Sequence, residues 1–132
     1  MRKKQQKGRT VKMKLDKCPE LCIFHDKVMG AVARELSADN SVVEFHVNIP
    51  LHFSEALAFP SDLAVPAEPY MSDFYIKYED GRMAVREAVY RKHLERPGTI
   101  ALLELSRLYW RQHGVNDWKI ITEEEDDNGK TE

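Results

Sequence analysis

The chain has 132 residues, of which 42% are apolar and 32% are charged, and its formal net charge at pH 7 is −2. This size fits a single domain with a modest core. It contains neither a signal-peptide pattern nor an apolar run of membrane length, which argues against a membrane protein and makes a cytoplasmic protein the expectation.

The charges are concentrated at the two ends of the chain. The first 14 residues contain seven Lys or Arg and no acid, whereas Glu123–Glu132 contains six acids and one Lys. Segments of this composition are typically solvated and disordered. We therefore expect a basic arm over residues 1–17, a folded domain over 18–122 and an acidic tail over 123–132. The arm either contacts DNA phosphates or acts as a solubilising tail. Its candidate DNA-binding residues are Lys3, Lys4, Lys7 and Arg9.

A helix is predicted over Pro19–Leu36, because apolar residues recur there at helical spacing and Pro suits a first helical turn. Cys18 and Cys22 are four residues apart, a spacing that suits one helix face rather than a disulfide. The nearest further candidate metal ligand is His25, so a tetrahedral zinc site is not expected.

Three strands are predicted next. Val43–Ile49 alternates apolar and polar residues and ends at a Pro. Residues 51–71 contain three Pro and form a long surface excursion, with a short helix over Phe53–Phe59 as one option. Two further alternating runs, Asp73–Tyr78 and Met83–Val89, are joined by a turn at Asp80-Gly81 and form a hairpin.

The last elements are a helix over Thr99–His113 and a short strand over Trp118–Ile121. Thr99 is the expected N-cap, and Gly114 the expected stop. The order helix, three strands, helix, strand predicts an α/β fold with a mixed four-stranded sheet flanked by helices. This αβββαβ order is that of the restriction-endonuclease-like core.

Three blocks of the chain resemble the N-terminal endonuclease domain of TnsA-type proteins, the nuclease subunit of heteromeric transposases. The blocks are VVEFHVNIPL (Val42–Leu51), PYMSDFYIKYEDGR (Pro69–Arg82) and ERPGTIALLELSRLYWRQHGVNDWKIITEEE (Glu95–Glu125). The last block, with its Tyr-Trp, Gly-Val-x-x-Trp and Thr-Glu, is the most specific. The resemblance extends over about residues 19–125.

The resemblance implies a degenerate active site. Asp73 falls on the family's metal-binding Asp, and Val89 falls where the family has its catalytic Lys. Glu87 lies two residues before Val89, as in the Glu-x-Lys pattern of restriction-type nucleases. The family also places a Glu on the first helix, where this chain has Met29, with Asp26 and Glu35 nearby but off register.

A metal-dependent nuclease of this type needs carboxylates to hold Mg²⁺ or Mn²⁺, and a Lys beside them. Asp73 and Glu87 are the candidate ligands, provided that they face the same side of the hairpin. Lys77 and Lys92 are the candidate replacements for the missing Lys. We expect Mg²⁺ as the cofactor if the site is intact, and no cofactor otherwise.

A basic sector around the third strand and last helix predicts contact with DNA, although a solvated helix face explains the same pattern. Its candidate DNA-binding residues are Arg86, Arg91 and Lys92. Three hypotheses follow. The first is a DNA-associated accessory of a transposon or phage that binds DNA or a recombination partner without cutting efficiently. The second is an active endonuclease with a relocated Lys, and the third is an interaction module that interferes with a transposase.

Overall fold

The computed structural model describes residues 10–52 and 70–123. The elements in chain order are β1 (Val11–Met13), β2 (Cys22–Phe24), α1 (Lys27–Ala38), β3 (Val42–Leu51), β4 (Tyr70–Tyr78), β5 (Met83–Ala88), a 3₁₀ turn (Arg91–Glu95), α2 (Pro97–Gln112) and β6 (Asp117–Ile121). From α1 onward the order of helices and strands is αβββαβ, as the sequence predicts.

Strands β3 to β6 form one mixed sheet in the order β3-β4-β5-β6. The pairs β3/β4 and β4/β5 are antiparallel, and β5/β6 is parallel because α2 carries the chain back across the sheet. Strands β1 and β2 form a separate antiparallel pair. The mixed four-stranded sheet with its two helices confirms the predicted restriction-endonuclease-like architecture.

The predicted hairpin is also confirmed. β4 and β5 are joined through Asp80 and Gly81, and Gly81 has φ +90°, a conformation that glycine adopts without strain. The side chain of Asp80 accepts a hydrogen bond from the backbone N–H of Arg82 at 2.9 Å, which stabilises the turn.

The first helix begins later than predicted. Cys22–Phe24 is a strand, and α1 begins after Asp26, whose carboxylate accepts a hydrogen bond from the N–H of Met29 at 2.9 Å. The prediction over Pro19–Leu36 was therefore wrong in its first half. Leu21, Phe24 and Val28 recur at helical spacing, but Leu21 is exposed, whereas Cys22 and Phe24 are buried at the two-residue period of a strand.

The second helix begins earlier than predicted. α2 starts at Pro97, with Arg96 at the N-cap, so the assignment of Thr99 as the N-cap was wrong. Pro suits this first position because its missing N–H has no intrahelical partner there. Gly114, with φ +88°, follows the helix as expected.

Two hydrophobic clusters cover opposite parts of the sheet. The larger packs α1 and β2 against the sheet around Phe45 and Phe74. The smaller contains Leu51, Val85 and Trp110 and lies beneath α2. Val43 departs from the predicted alternation: it is 57% exposed, because a β-bulge shifts the register between Val42 and Glu44.

Residues 10–17, predicted as part of the basic arm, contain β1, and the carbonyl of Lys17 accepts a hydrogen bond from the N–H of Phe45 at 2.9 Å. The predicted short helix over Phe53–Phe59 lies outside the described residues, as do residues 1–9 and 124–132. No helix in the described ranges is long and apolar enough to cross a membrane.

Candidate active site

The candidate site lies where β4 and β5 separate. Their pairing ends at Phe74 with Arg86, and one more step in this register places Asp73 opposite Glu87. Beyond this point β4 continues along β3 and β5 continues along β6. Because the two strands diverge, the N–H groups at the fork need other acceptors. The N–H of Asp73 donates to Glu87 Oε1 at 2.9 Å, and the N–H of Ala88 donates to Asp73 Oδ2 at 2.7 Å.

Glu87 points into the protein towards α2 and has no exposed surface. Its Oε2 accepts hydrogen bonds from the hydroxyls of Ser72 at 2.6 Å and Ser106 at 2.5 Å. Each hydroxyl in turn accepts an indole N–H, from Trp110 at 2.8 Å and Trp118 at 3.0 Å respectively. Both oxygens of Glu87 are therefore used inside the fold, as a buried carboxyl group requires.

Asp73 lines a pocket of about 250 Å³ beside the fork. Burial and the neighbouring Glu87 raise the pKa of Asp73 to about 8, and burial also raises the pKa of Glu87. Burial and mutual repulsion therefore both disfavour the doubly ionised form of the pair.

Asp26 lines the same pocket as Asp73. The resemblance, counted back from Val43, places Asp26 off register with the expected first-helix Glu. The structure shows that Asp26 is the N-cap of α1, and this position brings it to the pocket. An Asp directly before a helical apolar period is a recognised start signal, which could have identified the correct helix start.

Part of the remaining lining comes from the chain that follows β5. Val89, Tyr90 and His93 line the pocket together with Thr99 of α2. Burial and the nearby cations Arg96 and Lys92 lower the pKa of His93, so this side chain is neutral at pH 7. Val89, at the position that the resemblance assigns to the catalytic Lys, is apolar and half-buried.

Neither candidate replacement Lys lines this pocket. Lys77 lies near the other end of β4, with its Nζ 3.9 Å from a Glu44 carboxylate oxygen. Lys92 is in the 3₁₀ turn, with its Nζ 5.9 Å from the centre of the Tyr90 ring.

The predicted DNA-binding residues are in different environments. Arg86 is only 14% exposed and pairs with Asp117, with 2.9 Å between Nη1 and Oδ1. The backbone N–H of Arg91 donates to the Glu123 carboxylate, and Lys92 is exposed. Lys3, Lys4, Lys7 and Arg9 precede the described residues.

The arrangement does not fit the divalent-metal site that the resemblance implies. The oxygens of Glu87 are all engaged, and Asp73 and Asp26 each use one oxygen on a backbone N–H. Among residues 10–52 and 70–123, no group of three or more His, Cys, Asp or Glu side chains is placed to hold a metal ion.

A family model described as the TnsA-like endonuclease N-terminal domain matches residues 39–123. This match includes the fork, the pocket residues after β5 and all of α2. The chain belongs to the TnsA-like endonuclease N-terminal family. No curated protein matches it at a significant level. The resemblance to TnsA-type domains is thus confirmed, and the protein has a nuclease fold.

Proposed function

We propose that this TnsA-like protein is a DNA-associated component of a transposon or phage that binds DNA or a recombination partner and cleaves DNA poorly or not at all. The observation that carries this proposal is the inward orientation of Glu87. A carboxylate that holds Ser72, Ser106 and the Asp73 backbone is not available to bind a cation with Asp73.

The pocket itself supports the same conclusion. A nuclease of this fold needs a cationic group beside its carboxylates to stabilise the charge that develops on the phosphate. In its place the pocket has Val89 and a His93 whose pKa is lowered. Burial, Glu87 and Asp26 raise the pKa of Asp73, whereas a neighbouring Lys would lower it.

DNA binding is supported by family membership and by exposed cations near the pocket. Two exposed cations of α1, Lys27 and Arg34, line a pocket that Tyr90 also lines. Lys92 in the 3₁₀ turn is exposed as well, with its Nζ 5.9 Å from the centre of the Tyr90 ring. Contacts between such cations and DNA phosphates release counterions, so the affinity should fall steeply with salt.

The test is cleavage of supercoiled plasmid with Mg²⁺ or Mn²⁺, run in parallel with DNA binding by fluorescence anisotropy at two salt concentrations. We expect salt-dependent binding without nicking above background, and no difference in nicking between the wild type and Asp73→Ala. Nicking by the wild type that is lost in Asp73→Ala would contradict the proposal. A folded wild type that neither cleaves nor binds DNA would exclude its DNA-binding form and leave a recombination partner, such as a transposase subunit, as the ligand.

The second candidate function is an active endonuclease, which one observation favours. Asp26 and Asp73 come from different elements and line one pocket, so two acids do converge at the fork. Nicking by the wild type that is lost in both Asp26→Asn and Asp73→Asn would establish this function. Retention of nicking in Glu87→Gln would then show that Asp26 has replaced Glu87 at the site.

A further inference from the structure

A second and larger pocket adjoins the candidate site. It has a volume of about 610 Å³ and lies between the β1–β2 pair and α1. Val11, Met13, Phe24 and Tyr90 form apolar and aromatic walls. Asp26 and Tyr90 line both pockets, so the larger one opens beside the fork.

Two cations of α1 border this pocket. Lys27 and Arg34 are seven residues apart, which places them two turns apart on one helix face, about 10 Å along the axis. Both are exposed, and neither forms an ion pair within the described ranges. The carboxylate of Asp26 also borders the pocket, but one of its oxygens accepts the N–H of Met29 at the start of α1.

We propose that this pocket binds one unpaired nucleotide of a DNA end, with the base against Tyr90 and the apolar wall and the adjacent phosphates against Lys27 and Arg34. This inference rests on the DNA binding proposed above and specifies the form of DNA. An intact duplex offers phosphates to the cations but cannot fill an apolar pocket, because its bases are stacked. An unpaired base presents a flat apolar face that packs on aromatic side chains irrespective of its sequence.

The size and floor of the pocket agree with such a ligand. Its volume lies within the range of about 300–1,000 Å³ that is usual for small-molecule sites. Gly30 of α1 also lines the pocket, between Arg34 and Phe24: an added Cβ would be in ordinary contact with Arg34 Nη1 at 3.7 Å and Phe24 Cδ2 at 4.0 Å. The glycine therefore leaves the space of one methyl group to the pocket.

The test measures the affinity of the full chain, by fluorescence anisotropy, for three DNAs that share one duplex. The first is blunt, the second has a four-thymidine single-stranded overhang, and the third has the same overhang with abasic residues. We expect the thymidine overhang to bind about tenfold more tightly than the blunt duplex, and the abasic overhang to lose most of this gain. An acidic peptide would offer negative charge to the pocket but no base. Equal affinity for the thymidine and abasic overhangs would therefore overturn the base assignment and favour a ligand recognised by charge alone, such as an acidic peptide.

The variants assign the effect to the pocket. Tyr90→Leu and Arg34→Gln should remove the overhang preference, whereas Arg111→Gln, an exposed cation on α2, should retain it. Val11→Glu should also remove the overhang preference. It changes a side chain that is already exposed at the pocket wall, so it tests the pocket even if Tyr90→Leu fails to fold. Equal affinity of the wild type for blunt and overhanging duplexes would overturn the pocket assignment and leave the proposed DNA binding intact. A wild type that binds none of the three DNAs would overturn the pocket assignment and exclude the DNA-binding form of the proposed function.

Discussion

The backbone N–H of Asp73 donates a hydrogen bond to the carboxyl group of Glu87 at 2.9 Å, across the point where β4 and β5 separate. The carboxyl group of Asp73 returns a similar bond by accepting the N–H of Ala88 on the opposite strand. Each carboxyl group thus accepts a backbone N–H of the other strand at the point where the strand pairing ends. The two residues that the sequence offers as a metal pair are used here to close a fork in the sheet.

The stability of the protein should fall as the pH rises from about 5 to 9. The pKa of Asp73 is about 8 in the folded state and about 4 in an unfolded chain, so the folded state binds more protons in this window. The loss should exceed about 1.4 kcal/mol, the value of one pKa unit. It is measured by urea denaturation at several pH values. Asp73→Asn removes this titration and should flatten the profile, and an equally steep profile in that variant would exclude Asp73 as its source.

Glu87→Ala should destabilise the fold by about 3 kcal/mol, because it leaves a cavity and removes the acceptor that the hydroxyls of Ser72 and Ser106 share. Glu87→Gln keeps the volume and should cost only about 1 kcal/mol. The free energies of unfolding of both variants are compared with that of the wild type. A negligible effect of Glu87→Ala would mean that the network around Glu87 is not structural.

Val89→Lys should lower the pKa of Asp73, since it adds a positive charge to the pocket that both residues line. Val89→Met has a similar chain length without the charge and is the matched control. The carboxyl titration is followed by NMR with ¹³C-labelled Asp. An Asp73 titration midpoint that moves equally in both variants would show that the charge at position 89 does not reach it.

Arg86→Ala should destabilise the protein by about 1–3 kcal/mol and leave DNA affinity unchanged once folding is allowed for, because Arg86 is engaged with Asp117. Lys92→Ala should lower the DNA affinity and leave the stability nearly unchanged, since Lys92 is exposed and near Tyr90. Thermal unfolding and anisotropy together distinguish the two effects. Selective loss of DNA binding in Arg86→Ala would instead mean that its pair with Asp117 opens on DNA.

Cys18 and Cys22 should react slowly with a thiol reagent at pH 8 in the native protein and rapidly in denaturant. Both are buried, and burial together with a hydrogen bond to Cys22 raises the pKa of Cys18 to about 12. Ellman's reagent gives the rate under each condition. Fast reaction of both thiols without denaturant would show that the segment around β2 opens readily.

The sequence determined the elements whose signals are local. The hairpin could be predicted from Asp80-Gly81 and its flanking alternation, and the αβββαβ order indicated the sheet. The start of α1 was missed because Leu21, Phe24 and Val28 recur at helical spacing, although the residues buried in β2 are Cys22 and Phe24. Their pairing with β1 depends on contacts between segments that are separate in the chain.

The identity of the acidic residues at the site could be read from the sequence, whereas their roles could not. Alternation along β5 predicts that Glu87 is partly buried, but only the folded chain brings Ser72 and Ser106 to it and turns its carboxyl group away from the pocket. In the same way, Asp26 lines the pocket of Asp73 only because α1 begins where it does. Local pattern fixes which residues can form a strand or a helix, while the direction of a buried carboxyl group is decided by which donors the tertiary structure places within hydrogen-bonding distance.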